Sequence, residues 1–446
     1  MTPRLLALIV FIEGFCSLGA EVIALRRLTP HVGSSIVVTA PTIGLFLLAL
    51  ALGYAAGGRI SMNYRRIVAR NFLIAGALAG LGLSAISIDT LFAHLPSALA
   101  YLVFVGGVLC PIAWLLGQTV PILTNLIDSA RTGEASGQAL YGSTLGSFLG
   151  SITLSLLIMQ WLGVYAAVLL CAAGLLAGTL LLDGRRLKIV ISCALTASLS
   201  LFANLQPGAH ADTAYAEYRI EGVALPGQLE PRAFLVNKST ASLIDASEPP
   251  HYTRYIEHFR QILLKDLALR DQDILVLGAG GFTLSHREPN NRYTFVDIDP
   301  KIRDIAERDF LREKARGEFI VDDARRFVAT TERRFSAVVV DVYSTHTSIP
   351  SHLVTREFWA SLRRVLQPDG LMLANLILDG KLETPYARNL LATIESVYGR
   401  CAVDVLHKGK SLANVAVSCF ASSQPGGSQI YIDEKNRADL DLARSR

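Results

Sequence analysis

The sequence is poor in charged residues and has no strong excess of either sign. Charged residues make up 18% of the chain, and 42 basic against 38 acidic residues leave a formal net charge of +4. A nucleic-acid-binding surface needs basic residues clustered on one face, so we expect no DNA or RNA partner. Hydrophobic residues make up 51% of the chain, which is too much for an ordinary soluble enzyme and predicts that part of it lies in lipid.

Three common sequence patterns are also missing. The six cysteines form no CxxC pair and no histidines cluster at ligand spacing, so we expect no zinc site or other metal. The apolar N-terminus runs past Ala20 and Glu21 without an A-x-A-type cleavage site, which predicts a first membrane helix rather than a removed leader. No Gly-Lys-Ser/Thr sequence is present, which excludes a phosphate-binding loop of that kind.

Seven apolar segments are long enough to cross a membrane, for which ~20 residues are needed. They cover residues 5–25, 36–56, 71–92, 98–126, 139–160, 163–182 and 189–205. The fourth is overlong and contains Pro111 and Pro121, so we expect it to be kinked or partly re-entrant. The sequence thus predicts an all-α transmembrane bundle over residues 1–205.

Two features of the bundle suggest how its helices pack and what else they do. Glycines recur at four-residue spacing at positions 53 and 57 and at 142, 146 and 150, which lets helix backbones approach closely in lipid. Glu13 and Glu21 lie in the first segment, where carboxylates are costly and usually face a partner or a water-filled path. A transport or sensing role for the helices therefore stays open.

The loop charges predict the orientation of the bundle. Basic residues follow the second and sixth segments and mark those loops as cytoplasmic. These residues are Arg59, Arg65, Arg66, Arg70, Arg185, Arg186 and Lys188. Arg26 and Arg27, after the first segment, contradict this orientation. Seven full crossings would then leave the C-terminal half outside the cytoplasm.

The texture changes near Gln206, where charged residues and turns begin. Residues 208–248 predict a small β region, and residues 249–424 alternate strands and helices, which is typical of a parallel, doubly wound α/β sheet of the Rossmann type. The strands are expected at 273–277, 293–297, 317–321, 335–341 and 370–376. A hairpin over 401–407 and 413–421 is expected at the sheet edge, followed by a polar tail over 425–446.

A glycine-rich turn follows the first of these strands. In Gly278-Ala-Gly-Gly281 the missing side chains let the backbone turn tightly and approach a ligand. Asp297 ends the second strand, where an acid can accept both hydroxyls of a ribose. Thr283 occupies the position where an NAD-binding G-x-G-x-x-G sequence would have its third glycine, which weakens that alternative.

Two further acids belong to the same predicted edge. Asp323 follows the third strand, where it can accept a hydrogen bond from an adenine amino group, with Asp322 as its solvated neighbour. Asp341 ends the fourth strand, at the edge where open α/β sheets bind ligands. Asp299, followed by Pro300, is expected to cap a helix instead. We predict a nucleoside site that includes Gly278, Gly280, Gly281, Asp297, Asp323 and Asp341.

With these motifs, the C-terminal half of the sequence resembles the spermidine synthase superfamily. Nearly the whole chain resembles the membrane-fused branch of that superfamily. The resemblance rests on residues 14–21, 30–35, 52–59, 143–147, 251–255, 278–284, 296–300, 323–325 and 349–358. It implies a methyltransferase-like sheet with a small β region before it, a homo-oligomer, and a co-substrate that is S-adenosylmethionine or its decarboxylated form. Tyr255 and Glu257 match positions that line the amine pocket in that family.

The sequence departs from the family at two acids. The acid that holds the amine of the decarboxylated donor corresponds here to Gly281, and the acid three residues beyond Asp341 corresponds to Ser344. An alkylammonium has a pKa near ~10 and no lone pair, so a base or a desolvating pocket is needed to free it. Asp341, Tyr343 and His346 are candidates for that base, with Ser344 and His346 also lining the acceptor site.

These observations predict a membrane-anchored transferase that moves an aminopropyl or related alkyl group from the adenosyl donor to a small amine or polyamine. Methyl or aminocarboxypropyl transfer from intact S-adenosylmethionine is one alternative, and a non-catalytic transporter or sensor is another. Because the donor is cytosolic, we expect the soluble half on the cytoplasmic side of the inner membrane, with one segment not crossing. Cys401 and Cys419 lie at mirrored positions about a turn and could face each other in a disulfide. Because a domain that holds a cytosolic co-substrate should lie in a reducing compartment, we expect two free thiols instead.

Overall fold

The computed structural model describes residues 2–33, 36–125, 132–205, 211–213, 215–237, 239–343, 349–407, 412–422, 431 and 433. It divides into two compact units, Met1–Ala214 and Tyr215–Arg446. The first is helical apart from a two-residue strand, β1, at Ala211–Asp212. The second is a mixed α/β fold.

The helical unit contains eleven helices within its described residues. They are α1 Pro3–Val32, α2 Ile36–Gly58, α3 Tyr64–Ala77, α4 Ala85–His94, α5 Ser97–Phe104, α6 Cys110–Gly117, α7 Thr119–Thr124, α8 Thr132–Ile152, α9 Met159–Leu162, α10 Val164–Asp183 and α11 Leu187–Asn204. Short π-type turns join α3 towards α4, α5 to α6 and α8 to α9. Among the described residues, six helical stretches are long and apolar enough to cross a membrane, or seven if the bent pair formed by α3 and α4 is one span.

The sharp bend in this unit is not in the predicted segment. The stretch Ser97–Thr124, which holds Pro111 and Pro121, passes as one continuous span, and a π-type turn ends just before Cys110. A bend of 65° lies instead between Gly82 and Ala85, in the third segment. Ser84 caps α4 there by accepting a hydrogen bond from the Ser87 amide, so the chain restarts a helix after the break.

The predicted close packing is confirmed at Gly53, Gly57, Gly146 and Gly150, whereas a Cβ atom added at Gly142 would make only an ordinary contact, 3.7 Å from the Val10 side chain. A Cβ atom added at Gly14 would lie 1.9 Å from the carbonyl oxygen of Ser143, and one at Gly146 would lie 2.3 Å from that of Phe11. A Cβ at Gly53 would lie 2.5 Å from the carbonyl oxygen of Trp114. Side chains at these positions would force the backbones of α1 and α8, and of α2 and α6, apart.

The second unit, which we call the soluble unit after the prediction from the sequence, begins with an antiparallel meander and continues, within its described residues, with a seven-stranded sheet. The strands are β2 Glu217–Gly222, β3 Arg232–Val236, β4 Ser239–Ile244, β5 Asp273–Leu277, β6 Arg292–Asp297, β7 Glu318–Val321, β8 Phe335–Val340, β9 Leu366–Asp379, β10 Ala402–Val405 and β11 Leu412–Phe420. The helices are α12 Arg254–Arg260, α13 Ile302–Ile305, α14 Ala324–Thr330, α15 Arg356–Val365 and α16 Pro385–Tyr398. A short 3₁₀ turn covers Ser351–Leu353.

The strand order of the large sheet is β10-β11-β9-β8-β5-β6-β7. Neighbours from β9 to β7 pair in parallel, and β11 and β10 add an antiparallel hairpin. The chain starts the sheet at β5 and builds outward in both directions, so the strand order reverses beside β5. Ligands of open α/β sheets bind at such a reversal, beyond the carboxyl ends of the strands.

The expectation for the two hairpin cysteines was wrong. Cys401 and Cys419 form a disulfide, with their Cα atoms 4.7 Å apart. The register explains this, because Ala402 pairs with Ser418 and places the two cysteines opposite each other at the next step of the ladder. The prediction of free thiols rested on an assumed reducing compartment, whereas the strand positions alone favoured contact.

Candidate functional site

The predicted site residues gather along one edge of the large sheet. Gly278 follows β5, Asp297 ends β6, Asp323 follows β7 and Asp341 follows β8, so all four stand at the carboxyl ends of adjacent parallel strands. Gly278 has φ +88°, and a Cβ there would lie 2.1 Å from the carbonyl oxygen of Asp341. Only glycine fits this position, which brings the turn directly against the end of β8.

The carboxylate of Asp297 is held by two backbone amides. Its Oδ2 atom accepts a hydrogen bond from the Ala279 N–H at 2.9 Å, and its Oδ1 atom accepts one from the Asp299 N–H at 3.0 Å. Burial raises the pKa of Asp297 to about 6, and the amide hydrogen bonds limit that rise. The group is therefore ionised near neutral pH, with lone pairs left for the hydroxyls of a ribose.

Asp299 and Asp323 both accept hydrogen bonds from backbone amides just beyond the strand ends at this edge. Asp299 is buried and its Oδ1 accepts from the Lys301 N–H at 2.9 Å, so it caps the turn before α13 rather than the helix itself, which begins at Ile302. Asp323 is the N-cap of α14 and accepts from the Arg326 N–H at 2.9 Å. Its side chain is 34% exposed, against 18% for Asp322, so Asp322 is the less solvated of the two.

Asp341 is the centre of a side-chain network. Its Oδ1 atom accepts from the Nδ2 of Asn375 at 2.8 Å, and its Oδ2 atom lies 2.8 Å from the hydroxyl of Tyr255. The same hydroxyl lies 2.7 Å from the carbonyl oxygen of Ala241. Burial raises the pKa of Asp341 to about 6, and the hydrogen bonds from Asn375 and Tyr255 oppose the rise. A carboxylate in this state can receive a proton from a neighbouring cation near neutral pH.

Asn375 was not predicted from the sequence. It lies on β9 with 4% of its surface exposed, and the Nδ2 of Asn414, on β11, donates to its Oδ1 atom at 2.9 Å. That bond turns the amide group so that its nitrogen faces Asp341. A lone asparagine inside an otherwise apolar strand was the available indication, because buried polar groups need partners.

Tyr343 joins the same network through a hydrogen bond to the backbone of Asn375. Its hydroxyl donates to the carbonyl oxygen of Asn375 at 2.6 Å. Burial and then the nearby charge of Asp341 raise the pKa of Tyr343 well above its usual range, so the phenol stays protonated. The geometry therefore suits Tyr343 to positioning Asn375 and a substrate, and not to removing a proton.

Gly281 is enclosed by its neighbours. Its N–H donates to the Oγ of Ser242 at 2.9 Å, and a Cβ here would lie 2.4 Å from the ring of Phe310. Phe310 is fully buried and its ring centroid is 5.3 Å from that of Phe234. The space that an acidic side chain would need at this position is filled by an aromatic ring.

The small β region reaches the site edge at three points. Ser242 of β4 receives the Gly281 amide, Ala241 of β4 contacts the Tyr255 hydroxyl, and the hydroxyl of Tyr218, on β2, donates to the Oδ2 of Asp299 at 2.8 Å. The β region thus fixes both the glycine turn and Tyr255. The sequence did not identify these contacts, since they join residues far apart in the chain.

Glu257 is not brought into this network. Glu257 is exposed, and its Oε1 accepts from the Tyr252 N–H at 3.2 Å, which is a helix-start contact. Ser344 and His346 lie outside the described residues. Within the described part of the chain, no three His, Cys, Asp or Glu side chains are grouped to hold a metal ion.

Comparisons with known proteins show what this chain is similar to. Residues 250–406 match the family described as the spermine/spermidine synthase domain. The polyamine aminopropyltransferase of Mycobacterium tuberculosis is 27% identical over 419 residues, which cover 79% of this chain and 77% of that protein. Polyamine aminopropyltransferase 1 of Streptomyces coelicolor is 25% identical over 413 residues, covering 82% of this chain and 74% of that protein.

The solved spermidine synthase of Thermotoga maritima aligns with 53% of this chain and 82% of that chain, at 15% identity and a TM-score of 0.38. The curated relatives match far more than the soluble unit, which is about half of the chain, so their similarity extends well into the helical unit. Residues 250–406 therefore match the spermine/spermidine synthase domain family, and over most of its length this chain is similar to polyamine aminopropyltransferases.

Proposed function

We propose that the chain is a membrane-anchored aminopropyltransferase that uses decarboxylated S-adenosylmethionine and a small amine or polyamine. The observation that carries this proposal is the Asp341 carboxylate, which Tyr255 and Asn375 hold at the end of β8, where the backbone carbonyl of Asp341 lies against the glycine turn after β5. In the proposed complex the donor's ribose binds Asp297, and its sulfonium group lies beside Asp341 at the same edge of the sheet. The matched family and the names of the curated relatives support this assignment.

In the proposed reaction the amine nitrogen attacks the propyl carbon bonded to the sulfonium. A C–N bond forms, the C–S bond breaks, and its electron pair stays on sulfur to give methylthioadenosine. The ammonium form of the acceptor must first lose a proton. Its pKa of ~10 lies about four units above that of Asp341, so burial of the ammonium beside Asp341 has to lower its pKa for transfer to occur.

A second candidate uses intact S-adenosylmethionine, and the surroundings of Gly281 favour it. The family resemblance places at this position the acid that holds the donor amine, whereas here Phe310 fills the space. The loop therefore has no negative charge at this position to repel a donor carboxylate. Methyl or aminocarboxypropyl transfer would follow.

One assay separates these candidates. The detergent-solubilised full chain is incubated with either donor and a panel of diamines and polyamines, and the thioether product is identified by mass spectrometry. Methylthioadenosine formed from the decarboxylated donor supports aminopropyl transfer, whereas adenosylhomocysteine shows methyl transfer and methylthioadenosine from the intact donor shows aminocarboxypropyl transfer. Binding of both donors without any product would contradict an enzymatic role. The predicted homo-oligomer is tested on the same sample by light scattering.

A further inference from the structure

Contacts inside the helical unit show which connections share an end of the bundle. Arg65, at the start of α3, donates to the carbonyl oxygens of Leu182 and, at 3.2 Å, Leu181, near the end of α10. Asn125, just after α7, donates to the carbonyl oxygens of Gly58 at 3.3 Å and Ile60 at 3.2 Å. The connections after α2, α7 and α10 therefore lie at one end, which we call the arginine end.

A second set of contacts defines the opposite end. The guanidinium of Arg26, near the end of α1, donates to the carbonyl oxygen of Thr213 at 3.1 Å. His31 lies 3.4 Å from the carboxylate of Asp89, on α4, and stacks on Phe92 with ring centroids 4.3 Å apart. The end of α1, the helix α4 and Thr213, which follows α11 in the chain, thus lie together.

These contacts decide how many times the chain crosses. The bent pair of α3 and α4 begins at the arginine end, at Arg65, and reaches the opposite end at Asp89, so it is one crossing and not a re-entrant loop. The last helix, α11, has 18 residues, about 27 Å at the helical rise, and it leads from the arginine end to Thr213. Seven crossings result, and the chain leaves the bundle at the end opposite the arginine end.

The distribution of basic residues identifies the arginine end as cytoplasmic. It collects the connection residues Arg59, Arg65, Arg66, Arg70, Arg185, Arg186 and Lys188. The opposite end has Arg26 and Arg27, and residues 83–96 and 160–164 contain no Lys or Arg. Six crossings with a re-entrant third segment would split the basic residues between the two sides. Seven crossings place nearly all of them on one side, as the positive-inside rule requires.

The disulfide in the soluble unit is an independent observation that also points to a location outside the cytoplasm. Cys401 and Cys419 are bonded across β10 and β11. Structural disulfides persist in compartments outside the cytoplasm and are rare inside it. The chain exit and the oxidised cysteines therefore point to one location for residues 215–446.

We infer that the spermine/spermidine synthase domain of this chain lies on the non-cytoplasmic side of the membrane. This goes beyond the proposed function and does not depend on it. If the proposed function holds as well, the site draws its amine acceptor and its donor from outside the cytoplasm. A sulfonium ion carries a fixed charge and does not cross hydrocarbon unaided, so a transport or release step must then supply the donor.

The location is tested by labelling the full chain in intact spheroplasts with a membrane-impermeant maleimide. Two matched variants carry a new exposed cysteine: Glu332→Cys in the soluble unit and Ser61→Cys at the arginine end. We expect Glu332→Cys to react before lysis and Ser61→Cys to react only after lysis, with the unsubstituted chain as background. The reverse pattern would overturn the inference. Neither result depends on activity. If Glu332→Cys reacts before lysis but the chain shows no transferase activity, only the proposed function is contradicted.

The disulfide supplies a second test without any substitution. Cells are quenched in acid, and the denatured chain is alkylated with a mass tag before or after reduction. The four free cysteines should be tagged without reductant and all six after it. Six tags without reductant would show reduced Cys401 and Cys419 in the cell and would contradict a non-cytoplasmic domain.

Discussion

The two halves of the proposed site are built in different ways. In the donor half, which consists of the turn 278–281 with Asp297 and Asp323, both acids accept from backbone amides close in sequence or on an adjacent strand, and one distant side chain, Ser242, accepts from the Gly281 amide. The acceptor half, which consists of Tyr255, Asp341, Tyr343 and Asn375, is held by side chains from separate elements. The proposed nucleoside surface is therefore formed mostly by local geometry, whereas the proposed reacting end depends on long-range packing.

The largest effect is expected from Asp341→Asn, which removes the proposed base but keeps the shape of the side chain. We expect kcat to fall by on the order of 10³, as for loss of a general base, with donor affinity within about twofold of the parent. Single-turnover rates and calorimetry with the donor measure the two quantities. Asp304→Asn, which removes an exposed acid of α13, is the matched control and should leave both unchanged.

The same variant also tests the pKa of Asp341. Burial holds that pKa near 6 in the folded protein, above its usual value of 3.8, so the carboxyl stabilises the fold fully below pH 3.8 and less as the pH rises to about 6. Because asparagine does not titrate, the Asp341→Asn variant does not lose stability in this way as the pH rises. The melting temperature of the variant at pH 7.5 should therefore equal or exceed that of the parent. A lower melting temperature would assign Asp341 a structural role.

A smaller and different effect is expected from Asp297→Asn, in the donor half. The amide keeps one acceptor oxygen but loses the charge that strengthens hydrogen bonds to ribose hydroxyls, so donor affinity should fall by roughly 10- to 100-fold. The rate at saturating donor should change little. A large loss of kcat with unchanged donor affinity would contradict the division of the site into two halves.

How far the sequence predicted the site follows this division. Gly278 and Asp297 were predicted because a strand, a glycine turn and an acid after the next strand form a local pattern. Asn375 was missed because its partner Asp341 is 34 positions away and β9 otherwise looks like a plain buried strand. The strands of the sheet were predicted to within a residue or two except β9, which runs from Leu366 to Asp379 because its pairing with β11 continues past residue 376.

The helical unit gives the same lesson for topology. Hydropathy located all seven segments, and glycine spacing located the close helix contacts. The count of crossings could not be decided from composition, because Arg65, Asn125 and Arg26 report the shared ends only through contacts between helices distant in sequence.

A pH profile sharpens the comparison at the acceptor half. Since Asp341 acts as a base when ionised, kcat/KM for the acceptor should rise with pH through a midpoint near 6. Asn375→Ala removes a hydrogen bond that lowers this pKa, so the midpoint should move upward and kcat should fall about tenfold. Asn414→Ala leaves Asn375 in place without its orienting donor and should move the midpoint less. If the midpoint did not move in Asn375→Ala, Asn375 would not influence the pKa of Asp341.

The smallest effect is expected from Glu257→Gln. The family resemblance placed this residue at the amine pocket, but its carboxylate is exposed and accepts a hydrogen bond from the backbone of Tyr252, at the start of α12. Glutamine keeps an acceptor oxygen there, so we expect KM for the acceptor to change by less than about twofold and unfolding free energy by about 0.5 kcal/mol. Initial rates over a range of spermidine and diamine concentrations provide the measurement. A tenfold rise in KM with unchanged kcat would return Glu257 to the acceptor half and show that α12 contributes two side chains to it, Tyr255 and Glu257.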